Sequence, residues 1–190
     1  MIILSLKKQK VWRSNLLFIN YIKISAYYKI QIKLVTKIEK NINTFGLVVE
    51  LTKSQSDNFR IIRNHWIIFN QQLKEYKLNQ KNENWEKYGI TLKFNEKYFY
   101  LASIELNDKE SPSHFTSYKI PKGDYKIFTH RGKMENIKDT IYKIYKIILP
   151  KSNLKIKNKT GFLHFEKYDF RFRWNSTDSI IDIYLPLSSN

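Results

Sequence analysis

The 190-residue chain has no cysteine, which excludes a disulfide scaffold, a thiolate-bound zinc or iron–sulfur centre, and thiol catalysis. Glycine and proline are scarce, at 5 and 4 residues, so collagen-like, linker-like and glycine-loop architectures are excluded too. No apolar run reaches the roughly 18 residues that a membrane-spanning helix needs. There is no P-loop, no G-x-G-x-x-G fingerprint and no G-x-S-x-G elbow, and with them go the chemistries they serve. The four histidines, His65, His114, His130 and His164, never form an H-x-x-x-H pair, so neither a metal nor any other cofactor is expected.

What the chain has in excess is positive charge. Lys and Arg number 34 against 17 Asp and Glu, a formal net charge of +17. Polycations bind nucleic acid by releasing counterions, but the arginines suited to base and phosphate clamps are few: Arg13, Arg60, Arg63, Arg131, Arg171 and Arg173. Lysine instead is spread along the whole chain beside abundant Ile, Asn, Tyr and Phe, the mix an AT-rich genome encodes by default. The charge is therefore read as coding bias and solubility rather than as a nucleic-acid surface. Residues 1–30 are set apart as a basic N-terminal extension, because Lys7, Lys8, Lys10, Arg13, Lys23 and Lys29 occur there with no acid. Its apolar stretch Leu16–Ile19 is broken at Asn20 with no small-residue cleavage site after it, against a secretory signal. A cytoplasmic protein is expected. Hydrophobic residues at 42% and aromatics at 15% are enough for one folded domain, placed at 31–190.

The five glycines, Gly46, Gly89, Gly123, Gly132 and Gly161, fall at breaks in the apolar pattern and divide residues 31–187 into two similar halves. In the first, Ile32–Val35 and the β-branched stretch Thr44–Val49 read as strand. Phe59, Ile62, Trp66, Phe69, Leu73 and Tyr76 then recur at intervals of 3, 4, 3, 4 and 3, one apolar stripe of a helix with Ser56 or Asp57 as its N-cap. A polar loop over 77–87 leads to strands at Tyr88–Leu92 and Tyr98–Leu106. The second half repeats the order, with strands at His114–Lys119 and Asp124–His130 and a helix carrying Met134, Ile137, Ile141, Ile144 and Ile148. Pro150 should end that helix for want of an N–H, and strands at Leu163–Tyr168 and Ile180–Leu187 close the chain. The expectation is an α+β fold built as a tandem strand–helix–strand–strand repeat, a mostly antiparallel sheet gripping two helices.

One segment points to chemistry. In Phe165-Glu166-Lys167-Tyr168-Asp169, alternation puts His164, Glu166 and Tyr168 on one face of a strand and Phe165 on the other. Two readings stand. Glu166 pairs with a neighbouring lysine at the sheet surface, where an ion pair contributes little. Or it is buried among aromatics, its charge desolvated and its pKa raised, as a seat for an organic cation.

The chain resembles the GyrI-like small-molecule-binding family, the effector-binding domain of AraC-type regulators. The resemblance runs from about residue 31 to 187, through His65-Trp66-Ile67-Ile68-Phe69, Tyr88-Gly89-Ile90 and Tyr100-Leu101-Ala102-Ser103-Ile104-Glu105. It continues through Ile120–Gly132, Thr140–Tyr145, Leu149–Ser152, Phe165–Tyr168 and Ile183–Leu187. It implies a ligand cleft between the two repeats, with the family's cleft glutamate at Glu166 and an aromatic cup including Trp66, Tyr145 and Tyr168. Tyr88, Tyr125 and Tyr142 are further candidates, with core packing as the competing role. The family's usual Trp near the end of the second helix is replaced here by Ile147 or Ile148, and residues 1–30 do not fit a helix-turn-helix, so a stand-alone member is expected. The implied partner is a hydrophobic or cationic small molecule, held for sequestration or effector sensing. Two other activities of relatives are kept open: hydrolysis of cyclopropane-bearing genotoxic natural products, with Glu166 as acid/base and Tyr145 or Tyr168 as hydroxyl donor, and a protein-interaction role such as inhibition of DNA gyrase.

Overall fold

The computed structural model describes residues 30–78, 85–105, 111–157 and 161–188. The basic extension, apart from Ile30, and the end of the expected strand at Leu106 lie outside the described residues. Eight strands form one sheet: β1 (Gln31–Ile38), β2 (Ile42–Leu51), β3 (Lys87–Phe94), β4 (Lys97–Glu105), β5 (Thr116–Ile120), β6 (Gly123–Arg131), β7 (Phe162–Tyr168) and β8 (Ile180–Pro186). Their order is β1-β6-β8-β7-β3-β4-β2-β5, and every pairing is antiparallel. Helix α1 (Gln55–Glu75) follows β2, and helix α2 (Ile137–Lys143) follows β6.

The strand order displays the repeat. β2-α1-β3-β4 and β6-α2-β7-β8 are matching halves that meet at the β3–β7 pair, and each half lends its preceding strand, β1 or β5, to the edge of the other. β5 and β6 stand near opposite ends of the sheet, yet only Pro121 and Lys122 separate them in sequence. The sheet must therefore curl until its edges approach. The backbone N–H of Lys122 donates to Asn41 Oδ1 at 2.8 Å, joining the β5–β6 turn to the β1–β2 turn.

Period-two alternation gives the curled sheet two different faces. On one, Tyr88, Ile90, Leu92, Leu101, Ile120, Tyr125, Phe162 and Phe165 form a buried cluster with no helix over it among the described residues; the converging edges cover it instead. The other face carries both helices. Trp66, Phe69 and Leu73 of α1 pack on Phe45, Tyr100 and Ala102, each large side chain contributing about 1.5–3 kcal/mol by leaving water. Beyond α2, Ile144 and Ile148 pack on Phe128, Ile183 and Leu185.

Two expected helix boundaries are corrected. Ser54, not Ser56 or Asp57, caps α1: its hydroxyl accepts the N–H of Asp57 at 3.3 Å. The helix starts a few residues earlier than its apolar stripe, leaving Asp57 in the first turn, where a carboxylate suits the helix dipole. The second helix is regular only to Lys143. It widens into a π turn over Ile144–Ile148, where the N–H of Leu149 donates to the carbonyl of Ile144, and a 3-10 turn containing Pro150 ends it. β5 also starts at Thr116, later than expected, with His114 in the preceding turn.

Candidate functional site

The site lies on the helix face over the β3–β7 seam, where the two halves meet. In register, Gly89 of β3 stands opposite Glu166 of β7 and Ala102 of β4. A side chain at residue 89 has no room: a Cβ there would lie 1.9 Å from Tyr100 Oη and 2.9 Å from Glu166 Oε2. Glycine at this position lets a tyrosine from one neighbouring strand reach a carboxylate on the other across β3. Tyr100 Oη donates to Glu166 Oε2 at 2.8 Å, and Tyr168 Oη donates to the same oxygen at 2.5 Å. Trp66 Nε1 donates to Tyr100 Oη at 3.0 Å, and its ring meets that of Tyr168 edge-on at 5.1 Å.

Glu166 is only 6% exposed, and among the described residues no Lys or Arg pairs with it. Burial pushes its pKa up, and the two tyrosine hydroxyls, which favour the charged form, offset part of that rise. Burial raises Tyr100 and Tyr168 well above the ordinary phenol value, with the Glu166 charge adding to the effect. Both remain hydroxyl donors at neutral pH. Of the two readings of this carboxylate, the surface ion pair is therefore excluded by its surroundings.

Two hollows lie along the seam, one lined by His164 and the other by Tyr168; Glu166, between those residues on β7, lines neither. At the His164 end, a hollow of about 670 Å³ opens between the tip of the β3–β4 hairpin and α2, lined by Thr91, Tyr98, Tyr145 and His164 and by the charged Lys93, Glu96 and Lys146, among others. His164 bridges its wall: Nδ1 shares a hydrogen bond with Tyr145 Oη at 2.8 Å and Nε2 one with Thr91 Oγ1 at 3.3 Å. Burial lowers the His164 pKa to about 4, so the ring is neutral at pH 7 and adds no positive charge. Tyr145 is raised by burial and, next, by the negative charge of Glu166, which places its hydroxyl within that charge's field. At the Tyr168 end, a smaller hollow of about 100 Å³ is walled by Trp66, Trp85, Tyr168 and Trp174.

Of the residues singled out in the sequence, Glu166, Trp66 and Tyr168 are brought into direct contact, and Tyr145 joins them from the larger hollow. Tyr88 and Tyr125 are not part of this site. Alternation along β3 gives the helix face to Gly89 and turns Tyr88 to the opposite core, where it packs on Phe165 at 6.0 Å. Tyr125 meets the same ring at 5.6 Å. Tyr142 points outward from α2 and is 51% exposed. Sequence reasoning missed Tyr100 and Gly89. A glycine inside an otherwise apolar strand was the available signal for a close approach, and Tyr100 follows from it once β4 is known to flank β3. Among the described residues no cluster of three His, Asp or Glu suits a metal ion, and no helix is long and apolar enough to cross a membrane.

A mostly antiparallel sheet of two matching halves, with a helix on each, is the architecture of GyrI-like effector-binding domains. The chain belongs to the family of integron-associated effector-binding proteins, Cass2, whose pattern it matches over residues 36–187; small-molecule binding is the property common to this class. It is similar to the transcriptional regulator BrlR of Pseudomonas aeruginosa, 29% identical over 117 residues, covering 60% of this chain and 42% of that protein. The chain thus spans less than half the length of that curated relative. Among solved structures, SAV2435 bound to tetraphenylphosphonium superposes with a TM-score of 0.66 at 12% identity, over 84% of this chain and 94% of the other. An integron cassette protein from the mobile metagenome of Vibrio cholerae gives 0.53 at 18% identity, over 84% and 99%. At these identities the solved structures establish the fold.

Proposed function

We propose that this domain binds amphipathic organic cations in the larger hollow, with Glu166 as the counter-charge, and serves as an effector sensor or a ligand sink. The carrying observation is the buried carboxylate of Glu166, which has no cationic partner among the described residues. Such a group is expensive to keep charged, and an incoming cation would offset that cost while its apolar body leaves water at about 25 cal/mol per Å². The hollow's 670 Å³ falls in the roughly 300–1,000 Å³ range typical of small-molecule sites. Tyr145 and Tyr98 supply ring surface, Tyr100 and Tyr168 hold the carboxylate in place, and neutral His164 adds no positive charge; of the two lysines on the lining, Lys93 is paired with Glu96 at 2.9 Å and Lys146 is exposed. SAV2435, with the same fold, has been captured with tetraphenylphosphonium, a bulky aromatic cation of the proposed class.

Calorimetric titration with tetraphenylphosphonium tests this reading. The wild-type protein is expected to bind, and Glu166→Gln, which keeps shape and loses charge, to bind about tenfold or more weakly. Equal affinities would remove Glu166 from the role. Absence of binding to the wild type would overturn the assignment of ligand class.

A further inference from the structure

The smaller hollow has a chemistry opposite to that of the larger one. Its walls are Trp66, Trp85, Trp174 and Phe172, and its polar members are Asn70 and Lys87. A box of aromatic faces is ordinarily a seat for a cation, but here the protein has filled those positions itself. Lys87 Nζ stands 5.8 Å from the centre of the Trp85 ring, and the guanidinium carbon of Arg63 stands 5.8 Å from that of Trp174. A second cation entering between them would meet like charge on two sides.

Lys87 is also short of a counter-ion. Its ammonium donates to Asn70 Oδ1, whose amide nitrogen is spent on the Trp66 carbonyl at 2.7 Å, and among the described residues no carboxylate pairs with Lys87. Glu86, just before it in the chain, is engaged by Lys167 at 2.5 Å and by the Tyr88 hydroxyl at 2.7 Å. Asp169, near the far wall, is held by Arg171 at 2.7 Å. Burial lowers the Lys87 pKa, the mark of a charge that has lost water without gaining a partner. The hollow and this cation together form an aromatic slot with a positive group at its rim.

We propose that this slot is a second ligand site, taking a small aromatic carboxylate whose ring enters between the tryptophans while its anionic end pairs with Lys87. The volume, about 100 Å³, is on the scale of one ring; a cavity of about 150 Å³ accepts benzene. Pairing would satisfy Lys87 with a charge-assisted bond. The two hollows then select opposite charges at the two ends of one seam, and they share no lining residue. This site does not depend on the cation assignment of the larger hollow.

Three probes with one ring and three charges test it: phenylacetate, its neutral amide phenylacetamide, and the cation phenethylamine, each titrated calorimetrically. On the unaltered protein phenylacetate should bind about tenfold more tightly than phenylacetamide, with phenethylamine weakest. In Lys87→Met the gap between acid and amide should close, and in Lys87→Arg it should persist. Equal or tighter binding of phenethylamine, failure of all three probes to bind, or a gap that survives Lys87→Met would overturn the proposal. The charge series on the unaltered protein decides the matter even if Lys87→Met does not fold.

Discussion

Two carboxylates on neighbouring strands are buried to nearly the same extent, Asp182 at 3% and Glu166 at 6% exposure, and the protein treats them in opposite ways. Asp182 of β8 accepts from Lys33 Nζ at 2.8 Å, Thr129 Oγ1 at 2.6 Å and Arg171 Nη2 at 2.9 Å. Burial alone would raise its pKa, but these partners outweigh it and hold the group below the usual carboxylate range. Among the described residues Glu166 of β7 receives only tyrosine hydroxyls, and burial wins. Asp182 joins β1, β6 and the segment after β7 to β8, so its charge is spent on holding the sheet together. Glu166 makes no such cross-link to a cation among the described residues. A buried carboxylate is thus no functional signal in itself; what supports cation binding is the absence of a cationic partner among the described residues.

Substitutions should separate the two. The largest effect is expected for Asp182→Asn, which strands Lys33 and Arg171 and should cost about 2–3 kcal/mol in denaturant unfolding, moderated by the partial exposure of both cations. An unchanged unfolding midpoint would dissolve the contrast. Gly89→Ala comes next, at about 1–3 kcal/mol, because the new methyl must displace Tyr100; loss of cation binding should accompany it, and a crystal structure of the variant would show the tyrosine moved. Glu166→Gln should leave stability unchanged or raise it by about 1 kcal/mol while weakening the cation, so that stability and binding move apart. Tyr145→Phe should lower stability in the same denaturant unfolding by about 0.5–1 kcal/mol, from one lost hydrogen bond to His164, with the smallest effect on cation binding because the ring and Glu166 are both kept.

The pH dependence should also run in opposite directions. Asp182 has a folded pKa below its unfolded value near 4, so its contribution is complete above that value and is lost as pH falls through the folded pKa. Glu166 has a folded pKa above its unfolded value, so its charged form weakens the fold at neutral pH and the penalty lifts as pH falls through the raised pKa. Comparing wild type with Glu166→Gln from pH 7 to 4, the stability gap between them should narrow with acid. With Asp182→Asn it should narrow only lower, below about pH 4.

The helices show why some elements were legible and others were not. The stripe from Phe59 to Tyr76 is a local pattern, and α1 forms where it lies, because burying that stripe needs only a sheet beneath it. The stripe ending at Ile148 is as regular on paper, yet the backbone widens at Ile144 to a π turn. That irregularity places Ile144 and Ile148 on the sheet while Tyr145 reaches His164, a compromise between core and site that spacing does not encode. The same limit explains Tyr88 and Tyr125. Both lie in the segments that carry the family resemblance, but alternation from Gly89 and the β6–β8 register turned them to the opposite core.

By itself the sequence determined the alternation of β7, the two apolar stripes and the order of elements, because each depends on neighbours a few residues apart along one strand or helix. It also determined that Glu166, Tyr168 and His164 share a face. Only the tertiary structure decided that Tyr100 and Trp66 would close over that carboxylate and that Lys33 would neutralise the other. Those contacts join residues 66 and 149 positions apart, and strand order, which brings such distant segments together, is set by the packing of the whole sheet rather than by any local pattern.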